Sequence, residues 1–199
     1  LGDVLVFRAD DGTSGRELWR SDGTAAGTVL VEDILTGGSG ALGFGDEQVV
    51  INGTLFFFAS DGVNGDELWK SDGTAPGTVL VQNIRAGAFG SQPFFGTEFG
   101  ALNDTVVFFA DDGTIGEELW KSDGTGPGTM LVKDIRPGPG DSLPFPSVRF
   151  VGLGDTLFFV ADDPVARDEL WKTDGTGPGT QLVKDIVPGT GRASPRELT

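Results

Sequence analysis

The sequence predicts an all-β fold, a β-propeller with four blades of four antiparallel strands each. One observation behind this prediction is an octapeptide that occurs in four copies, of which the second is ELWKSDGT at residues 67–74. Another is the spacing of the copies: their tryptophans recur every 50 or 51 residues, and a fixed period of this size indicates a propeller or a solenoid. A third is the lack of helical periodicity between the copies. Each repeat is therefore one supersecondary unit built from strands.

The repeats divide the 199 residues into four units of about 50 residues, approximately 1–46, 47–97, 98–147 and 148–199. We expect these units to form a single domain. Hydrophobic residues make up 38% of the chain and include 15 phenylalanines, which is enough apolar side chain to bury a core.

The second repeat shows most clearly which segments form the strands. Residues 49–51 are a short apolar run, and Asn52-Gly53 after it is the dipeptide that supplies positive φ at both centres of a type I′ turn. Residues 54–59 continue as the second strand, and an Asp-Gly loop leads to a third strand at residues 67–70. A further turn leads into a fourth strand at residues 78–84. The pattern predicts a four-stranded meander.

The apolar run at residues 55–58 favours a propeller over a solenoid. It shows no alternation of apolar and polar residues, which is typical of a strand in a sheet that is covered on both faces. Radial packing of four small sheets gives each sheet two covered faces. A linear solenoid would need capping repeats, and the sequence has none.

The two chain ends fit the repeat pattern as well. Residues 196–199 lie where the first strand of a unit begins, and residues 4–7 lie where the second strand lies. We therefore expect the ring to close by pairing of the N- and C-terminal segments.

The charge of the chain excludes several partners. Lys and Arg number 14 against 30 Asp and Glu, and the net charge of −16 opposes binding to nucleic acid or to an anionic membrane surface. No apolar run approaches the roughly 20 residues that a membrane-spanning helix needs, so membrane insertion is not expected. The chain begins at Leu1 inside a strand pattern, so we expect that any leader has been removed.

The chain contains no Cys, His or Tyr. Their absence removes the Ser-His-Asp and Cys-His nucleophile pairs and the usual Cys and His ligands of zinc. Carboxylates are the groups that remain for chemistry.

The repeat resembles a known family. Residues 118–125 read ELWKSDGT and are followed by Gly128-Thr129 and by KDIRPG at residues 133–138. This pattern resembles the ELW-x-x-DGT repeat family of bacterial, mostly secreted or surface proteins. The resemblance covers all four repeats, and it implies an extracellular or cell-surface, propeller-like module.

Two sets of repeated residues suggest structural roles. The tryptophans stand at one strand position per sheet, where they would fill the space between neighbouring blades, although sugar stacking in a lectin is the alternative. The aspartates precede a Gly-Thr pair in a tight turn, where a carboxylate can accept hydrogen bonds from backbone N–H groups two residues on. The residues are Trp19, Trp69, Trp120, Trp171, Asp22, Asp72, Asp123 and Asp174.

A third set suggests a cation site. In each repeat an Asp in the Asp-Gly loop lies six residues before the Glu of the octapeptide, and calcium takes oxygen ligands from carboxylates and loop carbonyls. The calcium candidates are Asp11, Glu17, Asp61, Glu67, Asp112 and Glu118. In the alternative interpretation the Asp closes its own loop and the Glu is exposed at the start of a strand. The fourth repeat lacks the loop glycines.

For function, these observations lead us to expect an extracellular structural or binding module without catalytic activity. Its unknown protein or glycan ligand would contact the face formed by the Asp-Gly loops and the Phe-bearing connectors between repeats. The alternative is a carbohydrate-active module, either a lectin or a glycoside hydrolase with two carboxylates about 5 to 10 Å apart. Among 30 acidic residues, nothing in the sequence distinguishes one such pair from another.

Overall fold

The computed structural model describes residues 1–42, 48–93, 98–143 and 149–199, and these residues form antiparallel sheets without a helix. The strands are, in chain order, β1 (Leu5–Asp10), β2 (Arg16–Ser21), β3 (Val29–Glu32), β4 (Gln48–Ile51), β5 (Thr54–Ser60), β6 (Asp66–Ser71), β7 (Val79–Gln82), β8 (Gly100–Leu102), β9 (Thr105–Asp111), β10 (Glu117–Ser122), β11 (Met130–Lys133), β12 (Val151–Leu153), β13 (Thr156–Asp163), β14 (Arg167–Thr173) and β15 (Gln181–Lys184). The predicted all-β, propeller-like class is confirmed.

Each repeat forms its own meander. Three of the sheets have four strands, in the orders β4-β5-β6-β7, β8-β9-β10-β11 and β12-β13-β14-β15. The first sheet has three strands, β1-β2-β3, which corrects the expectation of four strands in every blade. Within the described chain β1 pairs only with β2, and residues 191–199 form no strand.

The Asn-Gly turn of the second repeat has the backbone that its residues predict. Asn52 and Gly53 between β4 and β5 have φ of 50° and 76°, which is the left-handed conformation of a type I′ turn at both positions. Asn103 takes the same conformation, with φ of 52°, between β8 and β9. This short turn fixes the register in which β4 pairs with β5.

A β-bulge follows the tryptophan motif in every sheet. In the second repeat Leu68 pairs with Gln82 but Trp69 pairs with Leu80, so Val81 is the extra residue on β7. The other three copies show the same shift between the Leu and Trp of the motif. A bulge bends and twists the strand locally. The repeat thus encodes a bent outer strand in each sheet.

The described chain divides into two compact units, residues 1–91 and residues 92–199. In the first unit, side chains of β5 and Trp69 of β6 pack against Leu18, Val31 and Ile34 of the first repeat. The strand β5 is buried on both faces, because Phe56, Phe57 and Phe58 are 3%, 0% and 1% exposed. This burial agrees with the lack of alternation in its sequence.

The second unit has an equivalent core. Leu119, Val132 and Ile135 of the third repeat pack with Phe159 and Trp171 of the fourth. Aromatic contacts extend this core: the ring of Phe150 lies 6.0 Å from that of Phe109 and 5.5 Å from that of Phe159. Such ring pairs contribute about 0.5–1.5 kcal/mol each beyond the buried area.

A basic side chain links the two sheets of each unit. Arg20 Nη1 of β2 donates a hydrogen bond of 3.1 Å to the carbonyl of Gly73 in the turn after β6. In the second unit Lys121 Nζ of β10 donates to the carbonyl of Gly175 at 2.8 Å.

No helix in the described part of the chain is long and apolar enough to span a membrane.

Candidate functional site

The glutamates of the ELW motif are buried and bind the connector that follows each sheet. Glu17 accepts hydrogen bonds from the backbone N–H groups of Ile34, Leu35 and Ala41, at 3.2, 3.2 and 2.8 Å. Glu67 and Glu118 bind the residues at the same offsets, and Glu67 also accepts a hydrogen bond of 2.6 Å from the Ser91 hydroxyl. All four glutamates are 0% exposed. The expectation of an exposed Glu at the strand start is therefore wrong, because the connector covers its carboxylate.

Burial alters the acidity of Glu17, Glu67 and Glu118. Desolvation raises the pKa of Glu118 from 4.5 to about 7, against the lowering effect of its hydrogen bonds with Ser142, Ile135 and Arg136. The same cause raises the pKa of Glu17 and of Glu67. These glutamates have a structural role, because their oxygens accept hydrogen bonds from backbone N–H groups of the connectors.

The aspartates of the Asp-Gly loops close their own loops. Asp11 Oδ1 accepts hydrogen bonds from the N–H groups of Thr13 and Ser14 at 2.8 and 2.7 Å. Asp61 binds Val63 and Asn64 in the same way, Asp112 binds Thr114 and Ile115, and Asp163 binds Val165 and Ala166. Hydrogen bonding lowers the pKa of Asp11 and outweighs desolvation in lowering the pKa of Asp61. The Asp and the Glu of one repeat thus bind different backbone segments.

One further position bears on the predicted calcium sites. Asn83 Nδ2 of the second repeat donates to Asn64 Oδ1, and Asn64 Nδ2 donates to Asp61 Oδ2, both at 2.7 Å. In the third repeat Asp134 stands in place of Asn83; its pKa is raised by burial and by the charge of Asp112. Among the described residues there is no group of three or more acidic, His or Cys side chains that could hold a metal.

The Ser-Asp-Gly-Thr turns are the same in all four copies. In the second repeat Asp72 Oδ1 accepts hydrogen bonds from the N–H and the hydroxyl of Thr74, at 2.9 and 2.6 Å. A Cβ on Gly77 would overlap the Asp72 carboxylate, so glycine is required there. Asp22, Asp123 and Asp174 bind Thr24, Thr125 and Thr176 in the same manner, with Gly27, Gly128 and Gly179 facing the carboxylate. The aspartates are turn-forming residues here.

The tryptophans differ in burial. Trp69 and Trp171 are 9% and 6% exposed and lie in the cores of their units, whereas Trp19 and Trp120 are half-buried. The indole Nε1 atoms of all four are buried without a hydrogen-bond partner in the described chain. Trp69 and Trp171 are thus the two that belong to the described apolar cores.

A shallow cleft of about 330 Å³ lies beside the link between Arg20 and Gly73. Its walls are Leu30 and Val31 of β3 and residues 73–76 of the following turn. Arg20 is the one ionisable side chain of this lining. The cleft holds no carboxylate that could act as an acid or a base.

Two buried aspartates and three arginines form a cluster at the sheet of the fourth repeat, and one of the arginines, Arg136, comes from the third repeat. Asp162 and Asp168 face each other across β13 and β14, and each is 5% exposed. Arg192 joins them: its Nη1 donates to Asp168 Oδ2 at 2.7 Å and its Nη2 to Asp162 Oδ2 at 3.3 Å. On the other Asp162 oxygen, Oδ1, Arg136 Nη1 lies at 2.9 Å and Arg167 Nη1 at 3.7 Å. We call these five residues the acid–arginine cluster.

The cluster exists because the fourth repeat departs from the pattern. Asp10 and Asp111, at the positions that correspond to Asp162, bind the glycine N–H of their own loops. Residues 163–166 lack that glycine, so Asp162 is left for the arginines. Burial raises the pKa of Asp162, with Arg136 as the largest opposing influence and the Asp168 charge adding to the rise.

Arg167 has an unusual backbone conformation. Its φ is 62°, and it stands where the other copies have Gly15, Gly65 and Gly116, with φ of 75°, 69° and 79°. A non-glycine residue held there costs of order 1 kcal/mol or more, and such strain is frequent at functional sites. The repeat pattern does not predict this cluster. The one sequence signal for it is that an arginine replaces the loop glycine in a single copy.

Comparisons with known proteins concern mainly the fold. No family model and no characterised sequence matches the chain. Among solved structures, the chain is similar to a serine-to-alanine mutant of puromycin hydrolase complexed with PGG, a propeller-containing hydrolase, with a TM-score of 0.57 and 14% identity. The similarity covers 96% of this chain and 28% of that chain, so this chain spans just over a quarter of the length of its structural neighbour.

This similarity corrects the expectation of a module without catalytic activity. The fold that the chain matches along nearly its whole length occurs in a hydrolase. The expected non-catalytic role rests on the lack of an acidic pair that the sequence distinguishes, and a similar fold is nevertheless found in an enzyme. The expected contact face of Asp-Gly loops and Phe-bearing connectors falls in part on residues 43–47, 94–97 and 144–148, which lie outside the described residues.

Proposed function

We propose that the chain is the propeller-like part of a hydrolase and takes part in its reaction by receiving the substrate. The observation that carries this proposal is the fold similarity to puromycin hydrolase over 96% of this chain. The chain has no His, so a Ser-His-Asp arrangement within these 199 residues is excluded. The groups that it offers to a substrate are carboxylates and guanidiniums.

The acid–arginine cluster is the place in the described chain that suits this role. The four copies share the residues that their sheets need, namely the buried Glu, the turn Asp and the Trp. In the described part of the chain the cluster lies at the sheet of the fourth repeat, and the position of Arg167 is a glycine in the three other copies. Sheet formation therefore does not explain why two buried carboxylates and three guanidiniums meet at Asp162.

The test is hydrolysis by the natural protein that carries this sequence. We expect turnover of aminoacyl or peptidyl 4-nitroanilides or of the corresponding esters. We also expect Arg192→Gln to raise KM with a smaller effect on kcat, because the proposed role is to hold the substrate. Arg149→Gln is the matched control, since Arg149 is exposed and lies 3.9 Å from Glu98, outside the cluster. A protein that hydrolyses none of these amides and esters would overturn the proposal.

The finer architecture is part of the same proposal: the four sheets form a closed, four-bladed propeller in which a C-terminal strand completes the first sheet. One supporting observation is that β1 pairs in the described chain with β2 alone, so its other edge is available to a further strand. Another is the turn before β1, which is formed by the hydrogen bond from Val4 N–H to the Leu1 carbonyl. Slow amide exchange at the outer edge of β1 is expected, becoming fast when residues 191–199 are deleted. Exchange at that edge that is fast in both chains would contradict closure.

The location also remains a proposal. The similarity to ELW-x-x-DGT repeats supports an extracellular or cell-surface protein, and a net charge of −16 suits a soluble surface-exposed chain. Detection of the protein in the culture medium or on intact cells would test it.

A further inference from the structure

The acid–arginine cluster concentrates positive charge in an acidic protein. The chain has 14 Lys and Arg residues against 30 acidic ones. Three of these arginines, Arg136, Arg167 and Arg192, meet at Asp162, and with Asp168 the cluster carries a net charge of +1. It is thus a local basic site, against the charge of the whole chain.

The buried aspartates hold the arginines in place without using all their donors. The side chains of Arg136, Arg167 and Arg192 are 30%, 33% and 52% exposed, whereas those of Asp162 and Asp168 are 8% and 6% exposed. Arg192 is held by hydrogen bonds to both aspartates, Arg136 and Arg167 are held by ion pairs with Asp162, and all three side chains are partly open to solvent. A guanidinium has five N–H donors in a planar fork, and a fork that is already oriented loses less entropy when it binds a carboxylate.

A second observation shows that the cluster is incomplete as a purely structural feature. Asp168 Oδ1 is buried and has no hydrogen-bond partner among the described residues. A buried acceptor without a donor costs about 1–3 kcal/mol, more for a charged group. Beside the arginines there is thus an acceptor that lacks an N–H donor.

We propose that the acid–arginine cluster binds the carboxyl end of a peptide or of an N-acylated amino acid. The carboxylate pairs with the solvent-facing donors of Arg192 and Arg167, while the buried Asp162 and Asp168 hold these arginines from below. This deepens the proposed function, on which it rests only for the claim that the bound molecule is the substrate.

The test is a calorimetric or NMR titration of the 199-residue chain, which does not depend on turnover. The probes are N-acetylglycylglycine and its C-terminal amide, which differ only in the carboxylate. We expect saturable binding of the acid and at least roughly ten-fold weaker binding of the amide. Arg167→Gly and Arg192→Gln should each weaken binding of the acid by a similar factor, and Arg149→Gln should leave it unchanged.

Arg167→Gly is the variant least prone to a folding defect, because glycine occupies this position in the other three repeats. Equal affinity for acid and amide, or an acid affinity that Arg167→Gly leaves unchanged, would overturn the assignment. Inorganic phosphate that competes with equal strength would show a general oxyanion site and would also overturn it. If the protein hydrolyses the amides or esters but does not bind N-acetylglycylglycine, this inference alone is wrong. If it binds N-acetylglycylglycine specifically but hydrolyses none of those substrates, the hydrolase proposal is wrong.

Discussion

The carboxylate of Glu118 accepts a hydrogen bond of 2.7 Å from the backbone N–H of Ile135, seventeen residues further along the chain. Neither group is accessible to water at this contact, because Glu118 is 0% and Ile135 4% exposed. This relationship joins the start of β10 to the connector that follows β11. It recurs in the first two repeats, where Glu17 binds Ile34 and Glu67 binds Ile84.

Glu118 should make stability depend on pH near neutrality. Its pKa is raised from 4.5 to about 7 in the folded chain, so the folded state holds a proton that the unfolded state releases between these values. Its contribution is fully present below pH 4.5 and is lost as the pH rises through about 7, by an amount of order 3 kcal/mol at about 1.4 kcal/mol per pKa unit.

The measurement is the free energy of unfolding of wild type and of Glu118→Gln at a series of pH values from 5 to 8. We expect Glu118→Gln to be less stable throughout, because its amide has a single oxygen and cannot accept hydrogen bonds from both Ile135 and Arg136. The difference should shrink as the pH rises. The comparison with the variant removes the contributions of the other acids. A difference that stays constant over this range would refute the raised pKa.

Gly77→Ala should destabilise the turn that Asp72 forms. The new methyl group would overlap the Asp72 carboxylate, and overpacking of this kind costs about 1–3 kcal/mol. The double variant Asp72→Ala, Gly77→Ala should be no less stable than Gly77→Ala alone, because removal of the carboxylate makes room for the methyl. Chemical denaturation of the two single variants and the double variant measures this coupling, and strictly additive effects would contradict it.

Trp69→Ala should cost about 3–5 kcal/mol of stability, as is usual for loss of a buried tryptophan. Trp69 is 9% exposed and packs in the core of the first unit. Trp19→Ala is the matched control with the smaller expected loss, because Trp19 is half-buried in the described chain. Equal losses, seen as equal shifts of the denaturation midpoint, would show that burial between the sheets does not decide the contribution.

Calcium should raise the melting temperature if the acidic loops bind it, since a ligand that binds only the folded state stabilises it by mass action. The first and third repeats are the expected sites, because the second has amides at Asn64 and Asn83 that already bind each other and Asp61. The measurement is a thermal melt in millimolar calcium against sodium at matched ionic strength, for wild type and Asp112→Asn. Equal melting midpoints in the two salts would show that calcium only screens the charges of the acidic loops and does not bind them.

Some of the structure follows directly from local sequence. The four meanders, the Asn52-Gly53 turn and the Asp72 turn were predicted, and they depend on residues that lie within a few positions of one another. The predicted strand at residues 54–59 corresponds to β5 at Thr54–Ser60. Turn residues and apolar runs act over such short distances in the sequence. The same pattern also occurs in four copies, which makes it easier to recognise.

Other features could be decided only by the tertiary structure. Glu17 contacts Ile34, Leu35 and Ala41, which lie 17, 18 and 24 residues away, and the path of the connector determines whether a glutamate at a strand start is exposed or buried. The sequence by itself determined the repeat, the strands and the turns, because these follow from short-range chemistry. The acid–arginine cluster could be decided only by the tertiary structure, because Arg136, Asp162 and Arg192 are far apart in the chain and meet where the sheet of the fourth repeat lies beside two connectors.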